Sequence, residues 1–220
     1  TTFIPSKKHY DYKSITNIKK FNIDDNYIHA SNGMKVTINE NKKILRFEQT
    51  YYSDWALIYG GDYSGWEIDF KGKPFLMNKL DTLQERINIH GLTGCLTIYK
   101  SVIDNTSVSA TGGGCEDSIN FVDTIGKGLV LFIKDARSDA IDADFSYLSF
   151  RKIQVNNAGN DCLDVSAGEY SIDFSLMEGC VDKAISIGEK SEFFAKKIIV
   201  RNSSIAVSVK DSSKANILDI

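Results

Sequence analysis

Proline is almost absent from this sequence, with two residues in 220, and histidine is nearly as rare, with three. So little proline excludes a polyproline or collagen-like chain. The histidines, His9, His29 and His90, are scattered, and no Cys-x-x-Cys or Cys/His cluster offers the ligands of a structural zinc site. No apolar run is long enough for a membrane-spanning helix, so no membrane span is expected. Neither sign of charge dominates, since 26 Lys and Arg against 29 Asp and Glu leave a formal net of −3. There is no polybasic run and no basic stripe interleaved with aromatics, and nucleic acid is therefore not an expected partner. The first residue is Thr rather than Met, which marks the chain as a processed product or an excised piece.

What is plentiful is Gly, Asn, Asp and Ser, set between short apolar stretches in the manner of brief strands joined by tight turns. A repeat orders them. Ile119, Ile141, Leu163, Ile185 and Val207 follow one another at intervals of 22 residues, and so do Phe121, Ala143, Val165, Ile187 and Val209. Between them lie Asn120, Asp142, Asp164, Ser186 and Ser208. The local pattern is apolar–polar–apolar, a short strand with one buried face. Leu96, Thr97 and Ile98 form an earlier copy, slipped by one residue.

Each unit carries a second apolar strand, in Val130–Ile133, Phe150–Val155, Ile172–Leu176 and Ile198–Val200. Leucine-rich repeats share this period, but their fixed leucine skeleton and asparagine ladder are missing. A parallel β-helix fits, with each 22-residue rung stacked on its neighbours. The expected architecture is one all-β solenoid domain over 1–220, with irregular rungs and a cap over 1–90 and regular rungs over 91–220. In the irregular part, 34–47 reads as strand, turn, strand, and 65–70 as a rung strand with Ile68 and Phe70 inward. Segment 79–86 reads as a short helix or loop excursion and 5–20 as a polar arm or cap. Solenoid ends need capping, so stacking or further domains are expected there, the more so because the chain stops just after the last clear rung.

Stacked rungs lie about 4.8 Å apart. Asp142 then sits over Asp164 on the outward side of the first strand, while Asp117, Asp139, Asp161 and Lys183 form a second column at the strand entrance. Two unit charges at that distance repel by about 1 kcal/mol in water and roughly 3–4 kcal/mol at an effective dielectric of 20. Asp at strand ends also bonds local backbone amides, which by itself accounts for the entrance column. On the functional reading, facing carboxylates share a cation or hold one another's pKa values apart for acid/base work.

Across 138–210 the motifs resemble those of the polygalacturonase family, right-handed parallel β-helix glycosidases of the pectin-lyase-like superfamily. Arg137-Ser138-Asp139-Ala140-Ile141 resembles the family's Asn-Thr-Asp-Gly-Ile, and Gly159-Asn160-Asp161-Cys162-Leu163 resembles Gly-Asp-Asp-Cys-Ile. Asp182-Lys183-Ala184-Ile185-Ser186-Ile187-Gly188 resembles Gly-His-Gly-Ile-Ser-Ile-Gly, and Ser208-Val209-Lys210 resembles Arg-Ile-Lys. The resemblance implies a right-handed coil, with Asp139 and Asp161 as the pair that activates water in an inverting hydrolysis. Lys183 falls in the histidine slot, Ser208 in the arginine slot, and Lys210 on its counterpart. Asn160 stands where the family keeps its general acid, and an amide does not supply the proton that such hydrolysis needs. Related polysaccharide lyases hold calcium on outward carboxylates and remove a sugar proton with a basic side chain. That likeness implies Ca²⁺ as the one candidate cofactor, on Asp139, Asp142, Asp161 and Asp164, with Lys183 or Lys210 as base.

The catalytic candidates are therefore Asp139, Asp161, Lys183 and Lys210. Asp142 and Asp164 are candidates for holding substrate, and Lys190 joins Lys183 and Lys210 in a basic edge suited to an anionic polysaccharide. In the aromatic stretch 51–66, Tyr52, Trp55 and Tyr59 are candidates for stacking on sugar rings, whereas Trp66 reads as core. Cys162 and Cys180 stand about four columns apart along the rung and Cys95 and Cys115 are similarly offset, so all four are expected as free thiols. The expected function is carbohydrate interaction, by a polysaccharide lyase or glycosidase, outside the cell or at its surface as the resemblance implies. The alternative is a non-catalytic carbohydrate-binding or structural module of a larger protein.

Overall fold

The computed structural model describes residues 18–23, 26–74, 86–88 and 90–220. The arm expected at 5–20 lies outside these except for 18–20, and the excursion expected at 79–86 lies outside them except for Arg86. The rest is a parallel β-solenoid of about seven turns with rungs of about 22 residues.

Two sheets of nine strands form its walls. Sheet A runs β1 (Lys19–Ile23), β2 (Asn26–Ala30), β5 (Ala56–Tyr59), β7 (Gly94–Tyr99), β9 (Asp117–Val122), β11 (Asp139–Asp144), β13 (Leu163–Ser166), β15 (Lys183–Gly188) and β17 (Ile205–Val209). Sheet B runs β3 (Lys35–Asn39), β4 (Ile44–Glu48), β6 (Glu67–Lys71), β8 (Ser107–Thr111), β10 (Ile125–Ala136), β12 (Tyr147–Ala158), β14 (Glu169–Cys180), β16 (Glu192–Arg201) and β18 (Lys214–Ile217). After β5 the chain alternates between the sheets, and every new strand pairs in parallel with the one a rung before it.

Alternation decides which side chains enter the core. Ile119, Ile141, Leu163 and Ile185 are in register and fully buried, as are Phe121, Ala143, Val165 and Ile187 one step further along the strand. The slipped copy is real, for Leu96 pairs with Ile119. On sheet B the expected inward pair, Ile68 and Phe70, is buried, and Trp66 packs in the same core. Burying such side chains contributes about 1.5–3 kcal/mol apiece before chain entropy is charged against it.

The described part of the first ninety residues lacks the period because its first strands turn back on themselves. β1 pairs antiparallel with β2, β2 antiparallel with β5, and β3 with β4 as a hairpin through a 3-10 turn at Glu40–Lys42. These hairpins present antiparallel strands at the beginning of both sheets.

Each rung leaves sheet A through one residue in the left-handed region, and this position also recurs every 22 residues. Asp123, Phe145, Ala167, Glu189 and Asp211 have φ between 49° and 56° there, and none is glycine. A buried hydroxyl closes the same corner from inside by donating to the last carbonyl of the strand. Ser101 donates to the Tyr99 carbonyl, Thr124 to Val122 and Ser146 to Asp144. The next rung has Gly168 in that place, where a Cβ would lie 2.2 Å from the Ser146 carbonyl oxygen. The Tyr170 hydroxyl reaches back instead and bonds the Ser166 and Ala143 carbonyls, both at 2.8 Å.

The expectation of free thiols is corrected, since Cys95 is bonded to Cys115 and Cys162 to Cys180. Their Cα atoms are 5.3 and 5.4 Å apart. Counting columns measures distance along a flat sheet, but here the chain folds over at the corner between the sheets. A partner 18 or 20 residues on has completed almost one turn and returned one rung higher, beside its starting point. Each bridge thus clasps a single turn to itself, a loop for which chain entropy gives about 3 kcal/mol.

Candidate functional site

The outward face of sheet A gathers most of the predicted site. Asp142 pairs in register with Asn120 on one side and Asp164 on the other, and Asp164 with Ser186. Asp144 lies two residues beyond Asp142 and so shares its face, in register with Val122 and Ser166. Asp117, Asp139 and Asp161 sit buried at the strand entrances.

The two aspartates that the family resemblance casts as water-activating are spent largely on backbone. Asp139 Oδ1 accepts from the Asp161 amide at 2.8 Å and from Asn160 Nδ2 at 2.7 Å. Asp161 Oδ1 accepts from the Lys183 amide at 2.9 Å. Each carboxylate therefore holds the start of the next rung, the role that strand-end aspartates commonly fill. Lys183 Nζ lies 3.4 Å from Asp161 and also bonds Asp182. These carboxylates, Asp182 first, push its pKa up, opposite to the lowering that a basic catalyst needs.

Asp142 and its neighbours are differently placed. Asn120 Nδ2 donates to Asp142 Oδ2 at 2.8 Å and lies 3.4 Å from Asp117 Oδ2. Among the described residues no cation pairs with Asp142, whose carboxyl is pushed up to about 9 by burial first and then by Asp117, Asp144, Asp164 and Asp139. Burial likewise raises Asp139 to about 6, with the hydrogen bonds from Asp161 and Asn160 opposing it. Asp117, Asp144 and Asp164 shift upward too, burial being the first cause in each. The carboxyls of this face thus release their protons unequally, Asp139 well before Asp142.

Three polar atoms in this column are buried without a hydrogen-bond partner: Thr97 Oγ1, Asp164 Oδ1 and Ser186 Oγ. Ser186 is wholly buried and Thr97 nearly so. Ser186 faces Asp164 closely enough to offset part of its upward shift, without a well-formed bond between them. Lys210 packs its chain over Gly188 and acts on Asp164 from the far end. Lys190 is exposed at the corner after β15, in the left-handed region.

The aromatic candidates separate. Tyr59 lies on the sheet A face in a ladder with Tyr27 and Tyr99, its ring centroid 6.2 Å from the first and 5.5 Å from the second. In register this ladder continues through Val122 to Asp144, so it adjoins the acidic stretch. Trp55 is buried against the His90 ring at 4.7 Å. Tyr52 is half-buried, and its hydroxyl donates to the Pro74 carbonyl. Neither belongs to the acidic column.

Sequence reasoning did not single out Asp144, Tyr27 or Tyr99. Strand alternation from Asp142 points to Asp144, whereas the tyrosines are separated by unequal insertions that hide their register. Also missed is a shallow groove of about 650 Å³ on the outer face of sheet B, lined in part by Tyr147, Glu169, Glu192, Phe194 and Lys214. None of the predicted site residues lines it.

Among the described residues, no group of three or more His, Cys, Asp or Glu converges as metal ligation requires. Among them too, no helix is long and apolar enough to cross a membrane. No family model matches the chain, and no curated protein or solved structure matches it either.

Proposed function

We propose that this chain is a carbohydrate-interacting β-helix protein related to the pectin-lyase-like superfamily, acting outside the cell or at its surface through the outer face of sheet A. The observation that carries this reading is the column of carboxyls around Asp142 and Asp164, opposed among the described residues only by Lys183 and Lys210 and flanked by unpartnered hydroxyls. A fold spends stability to keep such a column, and polyhydroxylated ligands suit its mixture of donors and acceptors. The tyrosine ladder beside it supplies the amphipathic edge common at wet binding sites. Two disulfides agree with an oxidising compartment.

The same face supports cleavage by acid and base. Asp142, pushed up to about 9, near Asp139, pushed up to about 6, gives two carboxyls of unequal acidity, the kind of pairing that glycosidic hydrolysis uses. Asp142, rather than Asn160, then supplies the proton. The test is an oligosaccharide panel scored for reducing ends and for unsaturated products, with and without calcium. Turnover lost in Asp142→Asn supports a hydrolase, binding without turnover leaves a binding module, and a panel with neither result rejects the proposal. The structural-module reading has its own support, because Asp139 and Asp161 are engaged in holding successive rungs together.

A further inference from the structure

We infer that the outer face of sheet A binds a linear cationic glycan, a chain of hexosamine units with free ammonium groups, with the Asp142–Asp164 column as its carboxylate floor. The inference rests on the glycan reading above and fixes the sign of the ligand's charge.

The first ground is charge. Asp117, Asp139, Asp142, Asp144, Asp161 and Asp164 all act on this face, and among the described residues only Lys183 and Lys210 are seen to oppose them there. Lys183 is already held by Asp161 and Asp182, which leaves Lys210 at one end. An anionic chain laid here is repelled wherever these carboxyls ionise, whereas an ammonium beside them favours their ionised form.

The second ground is the shape of the charge distribution. On the outward strand face the carboxyls lie on two successive rungs, Asp142 over Asp164 with Asp144 beside them, flanked by Asn120 and Ser186, and they do not gather around a point. A single metal ion needs convergence; a polymer with evenly spaced charges needs a line. The rung spacing of about 4.8 Å is close to the length of one pyranose unit in an extended chain. Two consecutive sugars therefore meet the rungs of Asp142 and Asp164, where an ammonium on each finds a carboxyl, and the flanking sugars meet the Asn120 amide and the Ser186 hydroxyl.

The third ground is independent of the acids. Ser186 Oγ is buried in the same column with no partner, and Asp164 Oδ1 beside it is also unpartnered. Groups of this kind mark a place where hydrogen bonds remain to be made. Sugar hydroxyls provide them, which a bare polyamine does not, and the ladder of Tyr27, Tyr59 and Tyr99 extends the surface toward the other end.

The experiment is isothermal titration of the full chain with four probes: a fully deacetylated glucosamine hexamer, its N-acetylated counterpart, a galacturonate hexamer and spermine. The deacetylated hexamer is expected to bind about tenfold more tightly than its acetylated form, and the gap is expected to shrink at high salt. Asp164→Asn and Asp144→Asn should each weaken that binding about tenfold, while Asp173→Asn on sheet B leaves it unchanged. Should Asp164→Asn fail to fold, judged by its melting curve, Asp144→Asn carries the test. If the acetylated or galacturonate hexamer binds as tightly, the cationic assignment is overturned and the glycan reading stands. Equal binding of spermine overturns the commitment to a glycan, and a complete lack of saccharide binding overturns both.

Discussion

The outer faces of sheets A and B are built from the same repeat, yet they treat charge in opposite ways. On sheet B, exposed charged side chains pair with opposite charges on a neighbouring rung. Lys196 lies 2.7 Å from Asp173, Lys197 2.7 Å from Asp219, and Lys214 3.2 Å from Glu192. All of these are at least half exposed, and such pairs contribute about 0–1 kcal/mol each. On sheet A the column has one sign, lies partly or wholly buried, and is relieved by protons and amide donors rather than by cations. Stacking identical rungs forces like residues together. Sheet B offsets this with opposite-charge pairs between rungs, and the Asp142–Asp164 column of sheet A does not. The cost retained on sheet A is what separates the two faces energetically.

The largest expected effect comes from breaking the part of sheet A that is structural. Asp139→Ala leaves the buried Asp161 amide and the Asn160 side chain without their acceptor, and should destabilise by about 2–3 kcal/mol in urea titration. A change within about 0.5 kcal/mol would show that the entrance column is not a clamp.

An intermediate effect is expected from pH. Asp139 and Asp142 hold their protons in the folded chain to about 6 and about 9, against an ordinary value of 3.8. Between those limits the folded state binds protons that the unfolded state has released, so stability falls as pH rises. The contribution is fully present below about pH 4 and is lost as pH climbs through the folded values. Asp142→Asn should flatten the upper part of this slope in melts between pH 6 and 9. An unchanged slope would place the strain elsewhere.

The smallest effect belongs to sheet B. Asp173→Asn removes an exposed partner of Lys196 and should move stability by no more than about 0.5 kcal/mol. A loss as large as that of Asp139→Ala would erase the contrast between the faces.

The regular rungs were legible because burial forces alternation, and alternation at a fixed interval shows from Ile119 to Val209 without any structure. The N-terminal hairpins were less so, since antiparallel returns through β1, β2 and β3 have no common period. The disulfides were hidden because a column count follows the sheet and cannot see a corner fold back. In the site, the columns of Asp142 and Asp164 could be read from spacing, but the division of labour between them and Asp139 or Asp161 could not. That division depends on which backbone amides point at which carboxylate. Tyr170 is hidden for a similar reason, since its hydroxyl replaces one that the repeat places two residues earlier.

The two clasped turns also set the mechanics of the chain. A solenoid pulled along its axis gives way by peeling strands from its ends, each freed rung paying out its full contour length. The residues between Cys95 and Cys115, and those between Cys162 and Cys180, are short-circuited by their bridges and pay out nothing. Under tension the oxidised protein is therefore a shorter tether than its residue count suggests, and reduction lengthens it in two discrete steps.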